Sequence, residues 1–255
     1  MGGHSARIEA VFLPQGRNSD WRSVHNSPDN GVVTHLSLRY DEAAYLAAYL
    51  RRLMLWDERT CVRVQVAGQS LGVYGVPPLD CLSFIAVPLD AEVSEPLDRI
   101  VSAGRLRDVL GEVSPSRWGV SRSFPVPDEL GAVAALAVLP PRGPWLPAER
   151  GIAGDVRPIV AAGVEEFRVR AEQSGQSSTA ELEALARDVW SRPGWGGLPL
   201  ASLHAASLLG FMPHDGLQIA TSTCEGWKRF AAPGGMTFIR TSGLPPTLSL
   251  AVSRR

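Results

Sequence analysis

Lysine is almost missing from this sequence, and no stretch stays apolar for long. Lys228 is the only lysine among 25 basic residues, which stand against 26 carboxylates. The charge is even along the chain, with 15 basic and 17 acidic side chains in residues 1–150 and 10 and 9 in residues 151–255. Nucleic-acid binders carry a clustered basic surplus to neutralise phosphates, so this balance disfavours nucleic acid as a partner. The arginine bias, with 25 glycines and 20 prolines, reads as the codon usage of a high-GC bacterial genome rather than as a functional signal.

Cysteine is scarce too. Cys61, Cys81 and Cys224 are an odd number without a C-x-x-C pair, which excludes a disulfide framework and fits a reducing, cytoplasmic setting. The longest apolar run, near Leu130–Leu139, is about half of the ~20 residues that span a bilayer. No basic and then apolar leader opens the chain, so no membrane partner is expected. Neither a Walker A string nor G-x-G-x-x-G occurs, and His25, His35 and His214 lack metal-ligand spacing. Hence no cofactor and no metal are expected.

What is present reads as α+β: two lobes of mainly antiparallel sheet with packed helices. The N-terminal lobe spans residues 1–111 and the C-terminal helical and hairpin lobe spans 151–255. A connector at 112–150, carrying seven prolines, separates them and crosses the surface. The pattern predicts strands at Ile8–Leu13 and Val32–Tyr40. A helix follows to about Trp56, with Leu46, Tyr49, Leu50 and Leu53 on one face and Asp41 as its cap. Strands at Cys61–Ala67, Leu71–Val76 and Leu82–Leu89 come next, with a tight turn at Gly68-Gln69, and then a helix near Pro96–Leu110.

In the second half, helices are predicted at Val156–Gln173, after a Ser178/Glu181 capping box, and from Pro199 to Gly210. The capped helix should turn Leu182, Leu185, Val189 and Trp190 inward. Strands close the chain at Leu217–Cys224, Trp227–Phe230, Met236–Thr241 and Thr247–Val252. Both halves run from a helix into strands and a Gly-x-Pro-Pro break (Gly75–Pro78, Gly243–Pro246), the order a remote internal duplication would leave. This helix-then-strands order resembles, in architecture alone, the two-lobed chaperones of type VII secretion.

Chemistry-bearing patterns are few. Gly68-Gln69-Ser70-Leu71-Gly72 matches the G-x-S-x-G string of serine hydrolases, where a helix must follow the serine to lift its hydroxyl. Here the sequel is β-rich and broken by two prolines, so a hairpin turn is the favoured reading, although an order of Ser70, an Asp and then His204 or His214 can be drawn. Residues 178–241 have the element order of a winged helix, yet Leu198–Phe211 holds no Arg, Lys, Asn or Gln to read base edges. His204 falls in the apolar arc of its helix with Ser207 one turn on. Trp195 and Trp227 sit beside glycines, where an indole caps a core or anchors a partner.

The function expected from these features is a non-enzymatic cytoplasmic adaptor. It would bind a partner protein or small ligand at the lobe interface through His204, Ser207, Trp195 and Trp227, and a homodimer is allowed. A Ser70 hydrolase and a winged-helix DNA binder are the alternatives.

Overall fold

A computed structural model describes residues 34–111, 120–173 and 178–241. The expected strands at Ile8–Leu13 and Thr247–Val252, and the Gly243–Pro246 break, lie outside these residues. The chain is α+β with antiparallel sheets. In chain order come β1 (His35–Arg39), α1 (Tyr40–Met54), β2 (Cys61–Gly75), β3 (Leu82–Ser102), α2 (Ala103–Leu110) and β4 (Ser121–Pro125). A short helix α3 (Ala134–Ala137), β5 (Leu146–Ile152), α4 (Ala153–Gln173), α5 (Thr179–Trp190) and α6 (Leu200–Leu208) follow. The described elements end with β6 (Gln218–Cys224), β7 (Trp227–Ala232) and β8 (Gly235–Arg240).

β1 pairs with β4, and the other strands form one six-stranded sheet in the order β2-β3-β8-β7-β6-β5. The seam between the halves is the β3–β8 ladder, Leu82 opposite Phe238 and Phe84 opposite Met236. One apolar core also runs through both halves, from Leu38, Leu50 and Val64 to Leu203, Phe211 and Phe230. Helix α1 fastens them: the Tyr45 hydroxyl donates to the Gly234 carbonyl, and Arg52 donates to the Leu209 carbonyl.

Three strands run into helices without a loop, and each junction is closed alike. The amide of the first helical residue lacks an intrahelical acceptor. Tyr40 donates to the Val120 carbonyl, Ala103 to that of Thr60 and Ala153 to that of Leu217, at 3.0, 3.1 and 2.8 Å. Each acceptor immediately precedes the strand that pairs with the strand feeding the helix. The recurring unit is therefore a strand, its helix and the antiparallel partner of that strand. The same hydrogen bond satisfies the exposed helix start every time.

Most elements fall where the pattern puts them. Leu46, Tyr49, Leu50 and Leu53 are buried on α1, and the Ser178/Glu181 capping box is formed. Four departures have physical causes. Residues 61–75 form one strand rather than a hairpin: Gly68, at φ +59°, sits in a bulge, and both arms pair with β3. β3 extends to Ser102, since Leu97–Ser102 pair with Cys61–Val66, and Ser102 then caps a shorter α2. Arg39, not Asp41, precedes the first turn of α1. On α5 only Val189 is buried, while Leu182 is exposed, because this helix packs on α4 at the rim and not on the sheet.

Two pairs of buried hydroxyls in the helix-facing layer satisfy each other. The Tyr49 and Ser83 hydroxyls lie 2.8 Å apart, with Ser83 donating to the Gly75 carbonyl. Burial raises the Tyr49 phenol far above its usual pKa and keeps it neutral. Ser202 of α6 and Thr237 of β8 meet through their hydroxyls at 2.8 Å, both fully buried. Replacing Thr237 with valine leaves the Ser202 hydroxyl without that partner. It is expected to lower unfolding free energy by about 1–3 kcal/mol in urea titrations, whereas Ser202→Ala together with Thr237→Val should recover part of the loss.

Candidate functional site

The sheet has two faces, and alternation assigns each residue. Thr237 points to α6, so its neighbours Met236 and Phe238 point the other way. By register Tyr74, Leu82, Phe84, Arg229 and Trp227 share that outer face. They build a second apolar cluster from Leu82, Phe84, Ala86, Met236 and Phe238, on which Tyr74, Trp145 and Trp227 pack. Its remaining member, Leu136, is fully buried and comes from outside the sheet.

Leu136 belongs to residues 126–145, which strap the outer face between β4 and β5. The described part of the proline-rich stretch is not bare connector. It contains β4 and α3, and it sinks Leu136 into the cluster at 0% exposure. The Leu130 amide donates to the Ile100 carbonyl at 2.7 Å, and Arg63 donates to the carbonyls of Leu136 and Ala137. At the far end the Trp145 indole packs on Phe238, its ring centroid 5.7 Å away, and donates to the Pro141 carbonyl.

Strap and sheet enclose a recess of about 40 Å³ at the seam of the two halves. Its walls are Tyr74, Phe84, Met236 and Phe238 from the sheet and Pro140, Pro141, Arg142 and Trp145 from the strap, with Gln65 and Arg229 completing the lining. Arg229 is 6% exposed; its Nε donates to Ser222 Oγ, and its guanidinium lies 4.8 Å from the centre of the Trp145 ring. Burial pushes the Tyr74 phenol up to about 12, against the pull of Arg142 and Arg63. It therefore remains a neutral hydrogen-bond donor. The recess is small, and its lining is aromatic and proline-rich with a phenol and two guanidiniums at its edge.

A wider hollow of about 480 Å³ opens between α4 and α5, lined by Arg170, Gln173, Glu181, Ala184, Leu185 and Asp188. Its charges are engaged with one another: Arg170 bridges Glu166 and Asp188, and Arg192 does the same. Without aromatic walls it has little to hold a partner, so the strap recess is the better site.

The four residues picked out in the sequence are not gathered in one place. His204 is half-buried and lies flat on Trp190, with ring centroids 4.4 Å apart and planes 2° from parallel. Ser207 is exposed on the same helix. Trp195 caps the helix-side core, edge-on to Phe230. Trp227 is the one that joins the outer cluster, its ring under the Arg240 guanidinium at 4.9 Å. The lone lysine, Lys228, donates to the Gly197 carbonyl and ties down the turn that carries Trp195.

His204 Nδ1 is buried with no hydrogen-bond partner among the described residues, and burial lowers its pKa below the ordinary histidine value. Between that lowered value and about 6.5 the unfolded chain holds more protons than the folded one. Stability is therefore level above this window and falls as the pH drops through it. His204→Phe is expected to flatten that acid slope in urea titrations run across pH.

Two alternative readings of the sequence are corrected. Ser70 is 5% exposed inside β2, opposite Pro88, rather than on a strand-to-helix elbow, so its hydroxyl is not presented to a substrate. β7 and β8 are interior strands of the six-stranded sheet, and α6 is buried along Leu200–Ala206. The winged-helix order thus yields neither a free wing nor an exposed recognition helix. Sequence reasoning missed Tyr74, Phe84, Arg142 and Phe238; for Phe84 the available signal was the run Leu82–Val87, apolar except at Ser83, which marks a strand covered on both faces.

Residues 34–125 match the sequence profile of a domain of unknown function (DUF8010), and residues 140–244 match that of another (DUF8185). No curated protein matches the chain. Among solved structures it is similar to DNA polymerase III subunit beta from Borrelia burgdorferi, determined in complex with a natural product. The identity is 7%, covering 88% of this chain and 68% of that one, with a TM-score of 0.50. It is also similar to the DNA polymerase sliding clamp from Caulobacter crescentus, at 12% identity, coverage of 87% and 69% and a TM-score of 0.47. For the clamp from Pseudomonas aeruginosa the values are 14%, 86% and 68%, and 0.41. The likeness to the Borrelia protein shows the fold alone, one shared with that DNA polymerase III subunit beta. Among the described residues, no helix is long and apolar enough to cross a membrane.

Proposed function

We propose that this chain is a non-enzymatic binding protein that holds a segment of a partner protein in the strap recess. The observation that carries this reading is the convergence of both halves and the strap on one recess. Tyr74, Phe84, Phe238 and Trp145 supply aromatic walls there, with Arg142 and Arg229 beside them. Aromatic and arginine side chains in a partly enclosed pocket are the usual anchors of protein partners.

A protein partner is favoured over nucleic acid by the charge of the helical layer. Helices α1 to α6 carry eight arginines and ten carboxylates, so this layer has no surplus with which to displace phosphate counterions. The sliding-clamp fold supports an adaptor role. Three free cysteines, Cys61, Cys81 and Cys224, fit a cytoplasmic setting.

The test uses linear peptides selected on the full chain from a random displayed library. Peptides that depend on the recess should lose most of their affinity on Tyr74→Ala and keep it on Glu183→Ala, at the exposed surface of α5. Selected peptides that bind both variants equally would refute the reading.

A further inference from the structure

We propose that Arg63 is the positioning residue of the strap recess: without touching the partner, it fixes the wall against which the partner packs. This rests on the reading of the recess as a partner site. Arg63 lies on β2, outside the lining, and its planar guanidinium is used on two edges. One edge is bidentate to Asp98 of β3, with Nε to Oδ1 at 2.6 Å and Nη2 to Oδ2 at 2.8 Å. The other edge, through Nη1, donates to the Leu136 carbonyl at 2.8 Å and the Ala137 carbonyl at 3.3 Å.

Those carbonyls end α3 and begin the wall. Residues 138–144 run from there to Trp145, and Pro140, Pro141 and Arg142 line the recess on the way. The wall is thus held at two points, Leu136–Ala137 by Arg63 and Trp145 by Phe238 and Arg229. Asp98 also receives the Gln65 side-chain amide at 2.8 Å, and Gln65 itself lines the recess. One carboxylate therefore sets both the latch that holds the strap and a polar group on the recess floor. Lysine could reach the carbonyls or Asp98, but as a point donor it cannot form the fork that serves both.

The experiment compares the full-length protein with Arg63→Gln, Arg63→Lys and Asp98→Asn. The probe is a linear peptide selected on the native sequence whose binding is lost on Tyr74→Ala. Arg63→Gln should weaken that peptide roughly tenfold, mostly through faster dissociation, and Arg63→Lys should fall in between. In the free protein, amide hydrogen exchange should rise over residues 137–143 and stay unchanged in α1 and β7; bound peptide should restore it. Asp98→Asn leaves Arg63 in place and removes only its charged anchor, so it should shift the same quantities in the same direction if Arg63→Gln folds poorly. Unchanged dissociation or unchanged exchange at 137–143 in the folded variants would overturn the proposal while leaving the recess as a partner site. If no selected peptide depends on Tyr74, the reading of the recess itself fails, and the proposal with it.

Discussion

Leu136→Ala is expected to destabilise the protein by about 2–5 kcal/mol, the range for truncating a fully buried leucine whose site cannot collapse. Leu136 has no exposed surface and sits among Leu82, Phe84, Met236 and Phe238. Losing it removes transfer energy and leaves a cavity beneath the strap. The rigid sheet under it cannot move to fill that cavity, which favours the upper part of the range. Urea titration measures the loss directly. Val138→Ala is the control: two residues along the strap and 53% exposed, it should stay within about 0.5 kcal/mol of the native protein. Equal effects would mean that the strap is not packed as described.

Trp145→Ala is expected to weaken partner binding by about 30- to 1,000-fold, equivalent to about 2–4 kcal/mol. The indole stands where strap, sheet and recess meet. It is half-buried against Phe238, beneath the Arg229 guanidinium, and bonded to the Pro141 carbonyl. Its removal takes away one aromatic wall and frees the strap segment that forms another. Trp195→Ala separates binding from stability, since Trp195 packs on Phe230 at the opposite face of the sheet. That variant should lose stability and keep its affinity. Titration calorimetry with a recess-dependent peptide reads both variants.

Much of the fold was legible because local chemistry and tertiary packing agree. The apolar stripe of α1, the capping box of α5 and the β6–β8 strands each combine a clear period with suitable end signals. Where they disagree, packing won. Pro96–Leu110 reads as helix until Leu97–Ser102 find partners on β2, and Gly68 reads as a turn until both arms of β2 find β3. No local pattern encodes those pairings, which join residues up to several tens of positions apart.

The recess was less legible for a related reason. Tyr74, Phe84 and Phe238 look like ordinary core residues in sequence, and only the register between β3 and β8 brings them to one outer face. The strap reads as a proline-rich connector; nothing in its composition says that Leu136 plugs a second cluster. Trp227 was singled out by its glycine neighbour and does reach that cluster. Trp195 has the same signature and reaches the other face, so an indole beside glycine indicates a cap without saying which layer it covers. His204 was marked by its place in an apolar arc, and it meets the Trp190 ring, a contact across two helices that a helical wheel cannot show.

In-cell photo-crosslinking tests the central claim most directly. A photoreactive phenylalanine analogue is placed at position 142 on the strap and, in a parallel strain, at position 165 on the exposed side of α4. A recess that holds a partner protein predicts one discrete adduct from position 142 that disappears with Tyr74→Ala, and none of that mass from position 165. The same adduct from position 165 alone, or one from position 142 that survives Tyr74→Ala, would contradict it.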